Sequence, residues 1–337
     1  MRKTISIMLE GDPEIEVVDT ARDGLEACDK VAELRPDVVT LDIEMPRMDG
    51  LTALRKIMAS TPVPVLMVSS LTREGAAATM EALQAGALDF VPKDSSGAML
   101  AINQIREELV SKVKAVARSK HVLARHQTLA PPSRPRNRLR LSNHRVMLIG
   151  TSTGGPFALQ QVVPRLPEDF PLPVLIVQHM PPHFTRSLAE RLNSISPLDV
   201  REAAEGDHVR AGEVLIAPGG RHMTFERRGE DIIVHTPSVP ETLHRPSVDV
   251  MFDSACQVIG GRPLGVVMTG MGRDGREGSR TIKERGGTVI AQDEQSSVVF
   301  GMPRAVIEAG LADAVASLDA IAPLCVEGVL NRQALPA

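Results

Sequence analysis

The sequence contains no tryptophan and no tyrosine, and only seven phenylalanines in 337 residues. A surface that reads nucleic-acid bases by stacking would have to rest on those seven rings alone. Cysteine is as scarce. Cys28, Cys256 and Cys325 stand far apart without metal-binding or redox spacing, which fits a reducing compartment better than a disulfide framework. Positive charge is not in excess either: 38 Lys and Arg against 42 Asp and Glu leave a net charge of −4. That balance argues against general electrostatic attraction to nucleic acid or to an anionic membrane. Nor is there an apolar run long enough to span a bilayer. The opening MRKTISIMLEGD sets two cations before an apolar patch, but Glu10 and Asp12 break the patch far too early for a secretory leader. Ile5, Met8 and Leu9 instead mark one face of a short amphipathic helix. These absences predict a cytoplasmic protein with no membrane insertion and no nucleic-acid partner.

What is present is enough apolar material, 43% of residues, for at least two ordinary cores. Between them the texture changes. Pro131, Pro132 and Pro135 interrupt Arg134, Arg136, Arg138 and Arg140 with no acidic residue nearby, the composition of a solvated tether. The expected division is residues 1–117, a basic Pro/Arg-rich linker at 118–144, and residues 145–337. In both flanking segments short apolar runs alternate with helical periodicity, which predicts two doubly wound parallel-sheet α/β domains. The strands expected in the first are EIEVVDTA, DVVTLD, PVLMVSS and LDFVPK, with helices over residues 25–34 and 76–85 between them. In the second they are RVMLIG, PVLIVQH, GEVLIAP, DIIVHT and LGVVMTG.

Chemistry in such sheets collects at the carboxyl ends of the strands. In the first segment these ends carry Asp42, Ser69 with Ser70, and Lys93. A carboxylate, a hydroxyl and an ammonium so placed can accept a phosphoryl group and stabilise its oxygens. Each taken singly reads better as a helix cap, a turn residue or a surface charge. Together, DVVTLDIEMPRMDG, MVSS and DFVPK resemble the receiver domain of two-component response regulators, over roughly residues 1–95. The resemblance implies a flavodoxin-like sheet of order 2-1-3-4-5, Asp42 as phosphoacceptor, Ser69 and Lys93 as its hydroxyl and lysine, and Phe90 as the aromatic switch. It also implies a first strand ending in an acidic pair that holds Mg²⁺, and this chain starts inside the helix that follows that strand. Asp12 and Glu14 come after the helix and are not the pair, and Asp94 stands where receivers carry proline. The expectation is therefore a gap at the centre of the first sheet, a natural start further upstream, and doubtful Mg²⁺ binding and phosphorylation.

In the second segment Val146–Pro156 reads VMLIGTSTGGP, and Gly150 to Gly154 satisfies G-x-S-x-G around Ser152. That pattern fits a nucleophile on a strand-to-helix turn, a phosphate loop or a plain tight bend. The spacings G-x-G-x-x-G and G-x-x-x-x-G-K-[ST] are both absent. A serine nucleophile needs a base and an acid that orients it. His179 ends PVLIVQH and Asp274 follows LGVVM, so a parallel sheet would bring both to the edge that holds Ser152. The alternatives are a His179–His183 metal pair, which Pro181 and Pro182 between them and the lack of a third ligand disfavour, and Asp274 as a mere cap of a helix near Gly275. His222 and His244 are expected on the surface or in loops.

IGTSTGGP, VQHMPPHFT, HRPSVDVMF, TGMGRDG and AQDEQSSVVFGMP together resemble the catalytic domain of chemotaxis protein-glutamate methylesterases, the CheB family, in the same receiver–linker–hydrolase order. The resemblance implies a Rossmann-like domain with Ser152 as nucleophile, His179 as general base and acid, and Asp274 as the orienting carboxylate. Thr153 and the backbone near Met271 would stabilise the oxyanion. It further implies hydrolysis of glutamate γ-methyl esters on methyl-accepting chemotaxis receptors, with glutamine deamidation as a related activity. A chemotaxis histidine kinase would be the phosphodonor, an unphosphorylated receiver would block the catalytic cleft, and catalysis would use no cofactor. Two other classes compete: a response regulator with a DNA-binding output, and a non-catalytic binding module on the same fold.

Overall fold

The computed structural model describes residues 2–93, 99–119 and 143–330. Chain contacts divide it into two units, Met1–Leu129 and Ala130–Ala337. No helix among the described residues is long and apolar enough to cross a membrane.

The first unit opens with α1 (Arg2–Glu10), which buries Leu9 and half-buries Ile5 and Met8, the face its spacing predicts. Then come α2 (Gly24–Leu34), β1 (Val39–Asp42), α3 (Gly50–Ser60), β2 (Val65–Ser70), α4 (Arg73–Gln84), β3 (Asp89–Lys93) and α5 (Met99–Arg118). Asp23 caps α2 by accepting the Leu25 and Glu26 N–H groups, and Asp49 caps α3 through Thr52 N–H. The strands form a parallel sheet of order β1-β2-β3, with Asp42 opposite Val68 and Ser70 opposite Lys93.

The strand expected at EIEVVDTA does not form; residues 15–21 are irregular. A cavity of about 630 Å³ lies beside β1, walled by Leu9, Ile15, Val17, Val31, Leu41 and Val113 among others. The physical reason is pairing. In a 2-1-3 order this segment bonds only to a central strand, and no strand lies between it and β1 among the described residues. An apolar run without a partner gains no ladder, so the gap expected at the centre of the sheet is what the fold contains.

Of the linker region, Arg118 closes α5, Ser119 follows it, and residues 120–142 lie outside the described residues, as does Asp94. The second unit begins with β4 (His144–Thr151), α6 (Gly155–Val162), β5 (Val174–Gln178), α7 (Phe184–Ile195), β6 (Asp199–Glu202) and β7 (Glu213–Ile216). It continues with β8 (Thr224–Arg228), β9 (Asp231–His235), α8 (Val248–Val258), β10 (Arg262–Val267) and α9 (Arg276–Glu284). It ends with β11 (Thr288–Gln292), α10 (Met302–Glu308), β12 (Ala314–Ala316) and α11 (Leu318–Leu330). Seven strands form one wholly parallel sheet, β12-β11-β10-β4-β5-β7-β6. Its central strands are buried almost without break, the property that made RVMLIG, PVLIVQH and LGVVMTG legible.

DIIVHT departs from expectation. It is β9, paired antiparallel with β8 in a separate ribbon. Four strands, β6, β8, β11 and β12, are not among those expected. DVRE and TFERR are too polar to stand out, and AVA is three residues long. The order places β4 at the reversal of the sheet: the chain runs outward through β5 on one side and returns through β10 on the other. Ligand sites of open α/β sheets form at the strand ends beside such a reversal.

Candidate active site

The turn after β4 owes its shape to its glycines. Gly154 has φ 76°, a conformation that favours glycine. A Cβ on Gly155 would run into the side-chain oxygen of Gln178 and come within 2.8 Å of Thr151 Cβ. Gly155→Ala therefore overpacks the turn and costs about 1–3 kcal/mol. The expected loss in thermal midpoint is about 3–10 °C for a unit of this size, read by calorimetry; an unchanged midpoint would show that the turn has room to spare.

Gln178, buried at the end of β5, ties two strand ends together. Its oxygen accepts the Thr151 hydroxyl (2.6 Å), and its Nε2 donates to the carbonyls of Ser152 (2.9 Å) and His179 (3.2 Å). With Thr151 opposite Gln178 in the ladder, Ser152 and His179 are the next residues along adjoining strands. Ser152 N–H donates to Thr269 O (3.0 Å), which links the turn to the end of β10 as well.

His179 Nε2 lies 2.8 Å from Asp274 Oδ2. Asp274 also accepts Val248 N–H (2.7 Å) on Oδ2, and the Ser247 hydroxyl (3.0 Å), Asp249 N–H (2.9 Å) and Gly275 N–H (3.1 Å) on Oδ1. Burial pushes this carboxyl up, but the hydrogen bond and charge of His179, with the Asp249 and Val248 N–H groups, outweigh it and hold Asp274 below the usual carboxylate range. An ionised Asp274 only accepts, so Nε2 carries the imidazole proton and Nδ1 of the neutral ring presents a lone pair. That Nδ1 is buried and has no hydrogen-bond partner in the structure. No hydrogen bond joins it to Ser152 Oγ; such bonds commonly close only when substrate is bound. Asp274 is not the cap of the helix near Gly275. It sits instead at the start of α8, whose first N–H groups it accepts.

Of the residues expected to face an oxyanion, Thr153 is buried, and the Ser152 carbonyl of the same peptide plane is held by Gln178 and Gly155 N–H. The trans plane thus fixes Thr153 N–H on the side away from those two bonds. Met271 follows Gly270, which packs against Ser152; a Cβ on Gly270 would lie 2.8 Å from Ser152 Cβ.

Two histidines expected on the surface or in loops belong to the site. His244 stacks on His179, with ring centroids 4.2 Å apart and planes 23° from parallel. His222 is fully buried, accepts Ser247 N–H on Nδ1 (3.3 Å) and faces Pro240 O with Nε2 (2.9 Å), so it steadies the serine that bonds to Asp274. The segment HRPSVD carried the family resemblance, but nothing in its spacing announces the stack. Gln178 had no signal beyond standing next to His179.

In the first unit Lys93 Nζ reaches Asp42 Oδ1 at 2.6 Å. The Ser69 hydroxyl is buried and donates to Gly75 O (3.0 Å). Phe90 is buried, with Lys112 Nζ 5.3 Å from its ring centroid. Gly50 lets α3 start against the end of β1, where a Cβ would strike Asp42 O. The residues do not fit Mg²⁺. No group of three His, Cys, Asp or Glu side chains among the described residues is placed to hold a metal, and Asp12 and Glu14 pair with Lys114 at 2.8 and 3.0 Å.

Fold and site define a protein in which a receiver-type parallel sheet precedes an α/β domain with a Ser, a His and an Asp at three adjoining strand ends. The chain matches the response regulator receiver domain over residues 1–124 and the CheB methylesterase domain over residues 147–325. It is 50% identical to the protein-glutamate methylesterase/protein-glutamine glutaminase of Symbiobacterium thermophilum, over 96% of this chain and 92% of that protein. The protein of the same name from Pyrococcus abyssi is 46% identical, over 98% of this chain and 90% of its own length. The crystal structure of the Thermotoga maritima CheB methylesterase catalytic domain is 43% identical, with a TM-score of 0.54, covering 55% of this chain and 99% of that domain. The chain belongs to the CheB methylesterase family.

Proposed function

We propose that this enzyme is a protein-glutamate methylesterase that also deamidates protein glutamine, and that Ser152, His179 and Asp274 carry the reaction. The observation that supports this reading most directly is the 2.8 Å bond from His179 to Asp274, with the opposite ring nitrogen buried and unpartnered and Ser152 at the end of the adjoining strand. In the proposed mechanism Ser152 Oγ attacks the γ-carbonyl of the glutamyl ester while its proton passes to His179 Nδ1. The resulting imidazolium is stabilised by Asp274. Thr153 N–H and the backbone at Met271 would bind the negative oxygen. The C–O bond to methoxide breaks, and methanol leaves with the proton from His179. Water then gives a proton to His179 and attacks the acyl-serine, releasing glutamate and restoring the serine hydroxyl. A glutamine substrate follows the same course with ammonia leaving. No step calls for a metal or an organic cofactor.

The proposed substrate is a methyl-accepting chemotaxis receptor, and the proposed setting is adaptation in the cytoplasm. Methanol release from methylated receptor by the full chain tests the reading; no release from a folded protein would sink it.

For the first unit, we propose Asp42 as phosphoacceptor, Ser69 and Lys93 as the groups beside it, Phe90 as the switch residue and a chemotaxis histidine kinase as donor. Since the described residues assemble no metal-holding set, phosphotransfer to Asp42 in this chain is expected to be slow. Methanol release should therefore change less than twofold on adding a small phosphodonor with Mg²⁺. A large rise that Asp42→Asn abolishes would show that the receiver works despite its gap.

A further inference from the structure

Two helices meet head to head behind the imidazole, and each is capped by the other's aspartate. Asp274, just before α9, accepts the N–H groups of Val248 and Asp249 at the start of α8. Asp249, in the first turn of α8, accepts the N–H groups of Gly275 (2.9 Å) and Gly278 (2.7 Å) at the start of α9. Gly275 N–H is shared, reaching Asp274 Oδ1 at 3.1 Å as well, so the two carboxyls converge on one donor.

We propose that Asp249 is a positioning residue for the His179–Asp274 pair: it acts through Asp274, and its protonation state sets the pH at which His179 becomes an effective base. The proposal rests on Asp274 serving His179 as described above. Geometry supplies the first half. With Gly275 and Gly278 N–H held by Asp249, α9 is anchored to α8, and the loop that carries Asp274 is fixed at both ends. Electrostatics supplies the second. Burial, followed by the neighbouring Asp274 charge, raises the Asp249 carboxyl to about 7 against the opposing Gly278 and Gly275 N–H groups. Below about pH 7 the pocket therefore holds one negative charge, on Asp274, while Asp249 keeps its proton.

Other charged or titratable groups stand on the elements packed around Asp249. Asp253 lies one turn along α8 and binds the Thr281 hydroxyl (2.5 Å). Arg276 and Glu277 on α9 pair with each other (2.7 Å). His222 bonds to Ser247 N–H, and His244 stacks on His179. None of the contacts just described falls on the Asp249 carboxyl, and Asp274, which shares Gly275 N–H with it, is its titrating partner.

The sign follows. As pH rises through the Asp249 titration, a second negative charge appears beside Asp274. It favours the imidazolium form of His179 and delays the free base to higher pH. Asparagine copies the protonated form of Asp249, since its oxygen can accept Gly275 and Gly278 N–H and its amide carries no charge. In Asp249→Asn the acid limb of the kcat/KM profile for methanol release should move about one pH unit lower. Asp249→Ala, which frees Gly278 N–H and leaves Gly275 N–H to Asp274 alone, should lower kcat about tenfold or more with KM little changed. An Asn limb at the parent's pH would overturn the proposal. So would Asn and Ala variants that lose activity and thermal stability alike with no shift of the limb, which is what a merely structural carboxyl would give. Asp274→Asn, assayed in parallel, separates the two levels: parent-like activity there would sink the catalytic reading itself, and this proposal with it.

Discussion

Ser152→Ala should lower methanol release from methylated receptor by about 10³-fold or more, which corresponds to roughly 4 kcal/mol of transition-state stabilisation. The fold should not register the change. Ser152 holds the turn through its backbone, with N–H on Thr269 and its carbonyl on Gln178 and Gly155. Its hydroxyl takes part in none of those bonds. The thermal midpoint should thus stay within about 1 °C of the parent's, as for substitutions that break no packing or hydrogen bond. Equal rates for parent and variant would favour a non-catalytic binding module over an esterase.

Asp274→Asn is expected to cost about 10³–10⁴ in kcat, by turning the imidazole rather than by removing a contact. The Asp274 carboxylate accepts on both oxygens: three donors meet Oδ1, and Val248 N–H with His179 meets Oδ2. An amide satisfies one side only. With its oxygen toward the three donors, its NH₂ faces His179 Nε2, and the ring must accept there. The ring proton then moves to Nδ1, the nitrogen proposed to take the proton of Ser152. The variant also leaves Val248 N–H facing an NH₂ group, so stability should fall by about 1–3 kcal/mol. The kinetic loss exceeds that penalty, and pH–rate profiles with a calorimetric control distinguish the two. An Asp274→Asn enzyme that keeps more than a tenth of the parent's kcat would exclude the proposed role for Asp274.

Much of this arrangement could be read before any tertiary structure. Alternation of apolar runs with helical spacing called for two parallel α/β units, and both are found. The carboxyl-end rule put Ser152, His179 and Asp274 on one edge of a sheet. The order of strands then explains why they adjoin: β4 lies between β5 and β10. The gap in the first sheet, where among the described residues no strand pairs with the free edge of β1, was also legible. Its consequence was misjudged, since EIEVVDTA has the alternation of a strand but no neighbour to bond with.

His244 and Asp249 show where pattern reading runs out. His244 is 65 positions from His179 in the chain, and only the folded loop stacks the two rings. Asp249 looks like any acidic residue in a first helical turn. Its role depends on a second helix arriving end-on to share Gly275 N–H. Local sequence determines what can be decided within one strand or one turn: periodicity, caps, the glycines that bend Gly154–Gly155, and the residue types at strand ends. Pairing partners, ring stacking and the sharing of a donor between carboxyls depend on distances across the fold of a few ångströms, which chain spacing does not encode. For this protein the sequence determined which residues would stand at the site, and only the tertiary structure decided which of them touch and through which atoms.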